Sequence, residues 1–318
     1  MAFVYGTISD ASPGATLYTA IADGLSSEGF TLVDTVVIST RTHKVWKCPA
    51  ANNSHNLDWY LDVVYSTTGA GNMWFAPFEH YDPATHLGYR GPYIGGGGAA
   101  PVDVATFSRY GSTGYALETN WNTISAGISF LTSTSSFGYW ISIKPDRIIG
   151  LSSAGVNDLL YTGFYNPHPL HIAAVGESSV YPLVSAKLHN NADSSTASGN
   201  GECAFTRIPG MSTSGTYGYA YYLSIKTRSV ADLLFMPSLP SGNLSSFSAR
   251  GASPVLLTTY SNDTINNVLW GTLPDIATAR TPSTVVRGDT TTISSDPWIL
   301  TSSSGTGSNI GYSLLFRA

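Results

Sequence analysis

The densest group of side chains able to do chemistry lies in one short stretch, Glu79-His80-Tyr81-Asp82 followed by His86. Two carboxylates among imidazoles and aromatic rings have the makings of a glycoside-cleaving site. There, one acid protonates the leaving oxygen and a second attacks the sugar or activates water. That chemistry requires both acids to face one sugar ring, which closeness in sequence does not supply, and Asp82-Pro83 has the form of a turn opener. The stretch reads better as a surface loop made of turn residues and aromatic anchors. In that reading Trp74, Tyr81, Tyr89 and Tyr93 form an aromatic contact surface for a glycan or a neighbouring subunit. A polysaccharide-degrading enzyme acting through Glu79 and Asp82 stands as an alternative.

Other candidate motifs fail on spacing. In His168-Pro-Leu-His171 the flanking Pro167 and Pro169 exclude the helix that would put both rings on one face. No cysteine or acidic cluster stands nearby to complete a metal shell. Gly150 to Gly155 and Gly210 to Gly215 both miss the G-x-S-x-G nucleophile spacing. Gly305-Thr-Gly307 lacks the third glycine and the strand-to-helix turn of a phosphate cradle. Arg287-Gly288-Asp289 falls between strand candidates and reads as a tight turn. The reading is therefore of no enzyme, no metal and no cofactor. Cys48 and Cys203 are distant and single, so both read as small buried hydrophobes rather than a bridge.

The elements that position these residues are nearly all strands. One helix is expected near the start, with Ser12 as N-cap, Pro13 at the first helical position and an apolar stripe of Leu17, Ala20, Ile21 and Leu25. Gly29 ends it, and Phe30 packs back on its last turn. The amphipathic stripe requires a surface, expected to be the sheet that follows: Phe30 to Ile38, His43 to Cys48, Asp58 to Tyr65 and Asn72 to Phe78. In the third of these Trp59, Leu61, Val63 and Tyr65 alternate with Asp58, Tyr60, Asp62 and Val64, the pattern of a half-buried antiparallel strand.

The clearest run is Phe137 to Pro167, a β-meander of three strands. Phe137, Tyr139, Ile141 and Ile143 share one face of the first strand, and Pro145-Asp146 makes the turn into Arg147 to Leu151. Leu159 to Tyr165 is the third strand, and Trp140 and Tyr161 are expected to be inaccessible. Further short strands run to the C-terminus, closing with Thr290 to Ile293, Trp298 to Ser302 and Gly311 to Phe316. The fold class implied is mainly β: antiparallel sandwich or meander sheets, with one N-terminal amphipathic α-helix packed on a sheet. A division into a helix-plus-meander lobe, 1–167, and a second β-rich lobe, 168–318, fits this order, and a single domain is the alternative.

Composition narrows the function classes. Charged residues are 11 % of the 318, against about 25 % in ordinary soluble domains. Serine, threonine, 32 glycines and 19 tyrosines take their place. Such a surface suits outward-facing β proteins and subunits covered by neighbours in large assemblies. The net charge of -5 holds no Lys/Arg stripe to neutralise phosphates, so no nucleic acid is expected as partner. No apolar run approaches the roughly 18 residues of a membrane span, so no membrane insertion is expected. The first residues lack the basic and apolar regions of an export signal.

Within this frame the run Tyr139-Trp-Ile-Ser-Ile-Lys-Pro-Asp-Arg-Ile-Ile149, followed by Tyr161-Thr-Gly-Phe-Tyr165, resembles a segment of tailed-bacteriophage virion structural proteins. The N-terminal helix leading into TLVDTVVISTRTHKVWKCP and DWYLDVVY is similar to theirs. So is the ending VVRGDTTTISSDPWILTSSSG with GYSLLFRA. The resemblance implies a virion subunit of the tail, baseplate or fibre-attachment region. Its partners would be other virion subunits in multiple copies, and it would be made and assembled in the bacterial host cytoplasm. The resemblance supplies no catalytic motif. A virion module that binds host-surface glycan for receptor recognition is the alternative within the same particle.

Overall fold

The computed structural model describes residues 1–38, 40–66, 73–84, 86–89, 115–116, 128–130, 132–154, 158–167, 169, 182–189, 202–205, 252–259, 268–282, 286–293, 295–301 and 310–318. They form four antiparallel sheets and one α-helix, α1 (Pro13–Ser27). The mainly-β class with a single helix is as expected.

Sequence and structure agree closely on the ends of α1. Pro13 opens it, and Ser12 holds the N-cap position without a side-chain cap bond. The anchoring comes instead from Asp10, whose carboxylate accepts the Ser12 amide at 2.8 Å and the Thr16 hydroxyl at 2.6 Å. At the other end Gly29 adopts φ +85°. Its amide donates to the Ser26 carbonyl at 3.1 Å and the Phe30 amide to the Leu25 carbonyl at 3.0 Å, the pairing of a Schellman stop. Leu17, Ile21 and Leu25 are fully buried, each contributing about 1.5–3 kcal/mol of burial. Three such residues fix which way the helix faces.

The central sheet has the order β1 (Ala2–Ile8), β10 (Phe137–Lys144), β11 (Arg147–Ser152), β12 (Asp158–Phe164), β14 (Leu183–His189) and β15 (Glu202–Phe205). The expected meander is thus its middle. A second sheet runs β2 (Thr31–Ile38), β3 (Arg41–Cys48), β4 (Trp59–Ser66), β5 (Met73–Phe78) and β9 (Ile128–Phe130). The third holds β13 (Asn166–Pro167), β17 (Val268–Pro282), β20 (Ile310–Arg317), β19 (Asp296–Leu300) and β18 (Thr290–Ile293), with β16 (Ala252–Thr259) also paired to β17. A small sheet of β6 (His80–Asp82), β7 (Leu87–Tyr89) and β8 (Tyr115–Ala116) completes the set.

Side-chain alternation stacks these sheets in layers. On β10 and β11, Ile141, Ile143 and Ile148 point into a core shared with Leu61, Val63 and Phe75 of the second sheet and the stripe of α1. Ile149, Leu151, Leu159 and Tyr161 point the other way, into a core with Leu273, Ile276, Ile299 and Phe316 of the third sheet. The central sheet is therefore covered on both faces, which is why Arg147–Ser152 is buried along its whole length.

Several expectations are corrected. The helix does not lie on the following sheet alone; it packs on β1 and β10 as well as β4. Strand β4 is not half-buried. Its second face, with Asp62 and Val64, is also inaccessible, because Phe78 and Tyr81 cover it. Strand β1, which the sequence pattern did not single out, pairs with β10 along its whole length. Strands β12 and β14, on either side of residue 167 in the chain, pair from Asp158↔His189 to Phe164↔Leu183. Of the two aromatic residues expected to be inaccessible, Tyr161 is fully buried and Trp140 only half-buried.

One backbone position holds the meander's turn shut. Gly163 has φ +144°, and a Cβ there would stand 2.3 Å from the Asp146 carbonyl oxygen and 2.4 Å from Arg147 Cα. Neither backbone atom can yield cheaply. Gly163→Ala is expected to lower the unfolding free energy by about 2–4 kcal/mol. Denaturant unfolding monitored by far-UV circular dichroism checks this; an unchanged midpoint would contradict it.

Candidate functional site

The outer face of the second sheet carries one group of converging titratable side chains. The register aligns Asp34, Val45, Asp62 and Ala76 across β2, β3, β4 and β5, with Val36, His43, Val64 and Trp74 in the next row. His43 and Asp62 are both inaccessible to water, and His43 Nδ1 lies 2.9 Å from Asp62 Oδ2. Burial raises the Asp62 pKa above the usual carboxylate value, with the His43 contact opposing. Above them the β6–β7 hairpin is tied down through Asp34. The Tyr81 hydroxyl donates to Asp34 Oδ2 at 2.6 Å, and His86 Nδ1 lies 2.7 Å from the same oxygen.

Burial works against the Asp34 carboxylate, but the hydrogen bonds from Tyr81 and His86 outweigh it and lower its pKa. A depressed carboxylate contributes stability that is present above its unfolded pKa of about 3.9 and is lost as pH falls through the folded value. Asp62 has the opposite sign: its raised pKa removes stability as pH rises from about 3.9 through the folded value.

A second junction is centred on the Pro145–Arg147 turn. The Pro145 carbonyl accepts the Trp59 indole N–H at 2.9 Å and the Cys48 thiol at 3.2 Å, both from the second sheet. Burial pushes the Cys48 pKa up to about 11, so this free thiol stays protonated as a small hydrophobe. The Cys203 side chain lies outside the described residues. Asp146 Oδ1 accepts the Ser54 amide at 2.7 Å. Arg147, fully buried, turns toward the third sheet: its Nε donates to Asp275 Oδ2 at 3.0 Å and its Nη1 to the Ser142 carbonyl at 3.0 Å. Lys144 Nζ reaches the same Asp275 oxygen at 2.7 Å. Burial opposes the Asp275 carboxylate, and the charges and hydrogen bonds of Arg147 and Lys144 outweigh it, lowering its pKa.

Of the residues expected to form an aromatic contact surface, Trp74 and Tyr81 have described side chains, and both belong to one packed cluster. Tyr81 is not on a surface: its ring is 7 % exposed and packs with Val45, Val64, Ala76 and Phe78. Trp74 is half-buried beside that cluster, with the Arg41 guanidinium 4.9 Å from its ring centroid. Tyr89 has its backbone in β7 opposite His80, and its side chain lies outside the described residues. Tyr93 also lies outside them, as do His168 and His171. The Glu79 and Asp82 pair does not share an open cleft. Glu79 is fully buried, while Asp82 Oδ1 accepts the Ala84 amide at 2.9 Å and shapes the turn.

Arg287-Gly288-Asp289 is a tight turn, as expected. Gly288 has φ +88°, and a Cβ there would meet the Trp140 ring at 2.3 Å. Arg287 Nη1 donates to the Ser152 carbonyl at 2.7 Å, so the turn docks the third sheet onto the central one.

Three pairings escaped the sequence reading: His43–Asp62, Asp34 with Tyr81 and His86, and Arg147–Asp275. A signal for the first was present in the sequence but was outweighed by the alternation of β4. Asp62 shares its face of β4 with Tyr60 and Val64, a combination too apolar for open solvent. No protein family matches the chain, and no curated protein matches it.

Tyr81→Phe is expected to cost about 1.5–3 kcal/mol, because it removes a hydrogen bond to a carboxylate. It should also raise the Asp34 pKa toward the ordinary value, read by carboxyl NMR titration. An Asp34 pKa that does not move would contradict the assignment.

Proposed function

We propose that the chain is a structural subunit of a tailed-phage particle, working through contacts with neighbouring subunits in the tail, baseplate or fibre region. The observation that carries this reading is the direction in which the charged groups point. Arg41, Lys44, Lys47, Lys144, Arg147, Arg287 and Arg317 each reach a partner within the same chain. The carboxylates with lowered pKa values, Asp34, Asp58 and Asp275, are likewise held by neighbouring residues. Chemistry is engaged in holding layers together. Among the described residues what faces outward is rich in serine and threonine, a surface suited to broad contacts of low charge.

The resemblance of Tyr139 to Ile149 to virion proteins adds the kind of assembly. In this fold that run supplies the Pro145–Arg147 junction, so the resembling residues are those on which the stacking of layers depends. The burial of Tyr81 takes one ring away from the glycan-binding alternative.

Electron microscopy of purified particles with a labelled antibody against the folded chain tests the reading. Label at one defined place on intact particles is expected. Particles that carry no label, with the protein left in the unassembled fraction, would overturn it.

A further inference from the structure

The central sheet ends at β1, whose single strand partner among the described residues is β10. The seven-residue register runs without a break from Ala2↔Ile143 to Ile8↔Phe137. In an antiparallel ladder every second residue turns its N–H and C=O away from the partner, so the outer side of β1 presents a row of such groups. On one face Ala2 and Val4 pack toward the core beneath α1, and on the other Phe3 packs toward the core of the third sheet. Tyr5 is 67 % exposed and stacks on Phe3 with ring centroids 5.3 Å apart.

Edge strands in soluble proteins are normally blunted by charge, proline or a bulge. Strand β2, at the edge of the second sheet, shows this: it carries Asp34 and a register shift between Leu32 and Asp34. Strand β1, Ala-Phe-Val-Tyr-Gly-Thr-Ile, has no charge, no proline and no bulge. It is a straight, neutral edge with an exposed aromatic ring at its centre.

We propose that β1 is a docking edge for β1 of a second copy of this chain. The two strands would pair antiparallel across a two-fold axis near Tyr5 and join two six-stranded sheets into one. Charge selects this occupant. A basic or acidic segment would find no counter-charge along Ala2–Ile8, whereas a second β1 brings no like charge against it. The antiparallel two-fold also sets Tyr5 beside Tyr5 and Phe3 beside Thr7, and aromatic cross-strand pairs are stabilising. One strand pair buries less than the ~1,600 Å² of a standard interface, so dissociation in roughly the micromolar range is expected. The inference stands whether or not the chain belongs to a particle, because it concerns the purified protein alone.

Sedimentation velocity on the full chain from about 1 to about 100 µM spans such an equilibrium. It is combined with amide hydrogen exchange at both ends of the range. The wild-type chain is expected to pass from monomer to dimer, with exchange in Ala2–Ile8 slowing at least several-fold at the higher concentration. Tyr5→Lys with Thr7→Lys, both at exposed positions, places like charges along the edge and should leave a monomer throughout, with circular dichroism unchanged. Should that variant fail to fold, the wild-type exchange data decide alone.

A wild-type monomer at every concentration overturns the proposal. So does a dimer without protection of Ala2–Ile8, or a folded double variant that dimerises as the wild type does. Slow exchange of these amides in the monomer would assign the edge to another part of the same chain, and would overturn it too.

Discussion

The ion pair between Arg147 and Asp275 is the constraint on which the stacking of layers rests. A guanidinium with no exposed surface is costly to desolvate, and only close partners make it tolerable. Asp275, with the Ser142 carbonyl and hydroxyl, provides them. Asp275 itself adopts φ +58°, a left-handed position that aspartate tolerates better than most residues. Strand β17 therefore bends to present its carboxylate where the central sheet needs it. Lys144 and Arg317 share that carboxylate from two sides. In the same turn Pro145 accepts Trp59 and Cys48 from the second sheet, and Asp146 accepts Ser54 from the β3–β4 connection. Three consecutive residues thus join three layers.

Much of the architecture was legible where one physical signal acted alone. The apolar stripe of α1 and the stop at Gly29 needed only helical spacing and a glycine able to take positive φ. The meander was readable from alternation and from Pro145-Asp146. Legibility failed where a second layer changed the meaning of a residue. Asp62 reads as solvent-facing until β6 and its Tyr81 cover that face. Arg147 reads as the polar start of a strand, because its partner lies 128 residues away. Tyr81 reads as a contact residue until Asp34, 47 residues distant, takes its hydroxyl. Strand β1 was overlooked for a similar reason: two of its residues are exposed, and β10 comes far later in the chain.

The candidate site changed more than the fold. Aromatic rings close in sequence suggested a surface, whereas the structure places Tyr81 in packing and leaves Trp74 half-covered under Arg41. The titratable groups that do converge, with His43, Asp62 and Arg147 fully buried among them, act as ties between sheets and hairpins. A molecule built in this way devotes its polar interior to fixing the relative position of flat β layers. Among the described residues its outward face carries little charge, and an uncharged strand, β1, ends the central sheet.

A double-mutant cycle across Arg147 and Asp275 tests this account most directly. Asp275→Asn keeps the left-handed backbone position acceptable while removing the charge, and Arg147→Met keeps most of the side-chain volume. If the pair couples the central and third layers, Asp275→Asn alone should be strongly destabilising, since it strands a buried guanidinium. The double variant should recover a large part of that loss, with an interaction energy of about 2–3 kcal/mol in denaturant unfolding. Losses that add to within about 0.5 kcal/mol would show that the two side chains act independently and would contradict the account.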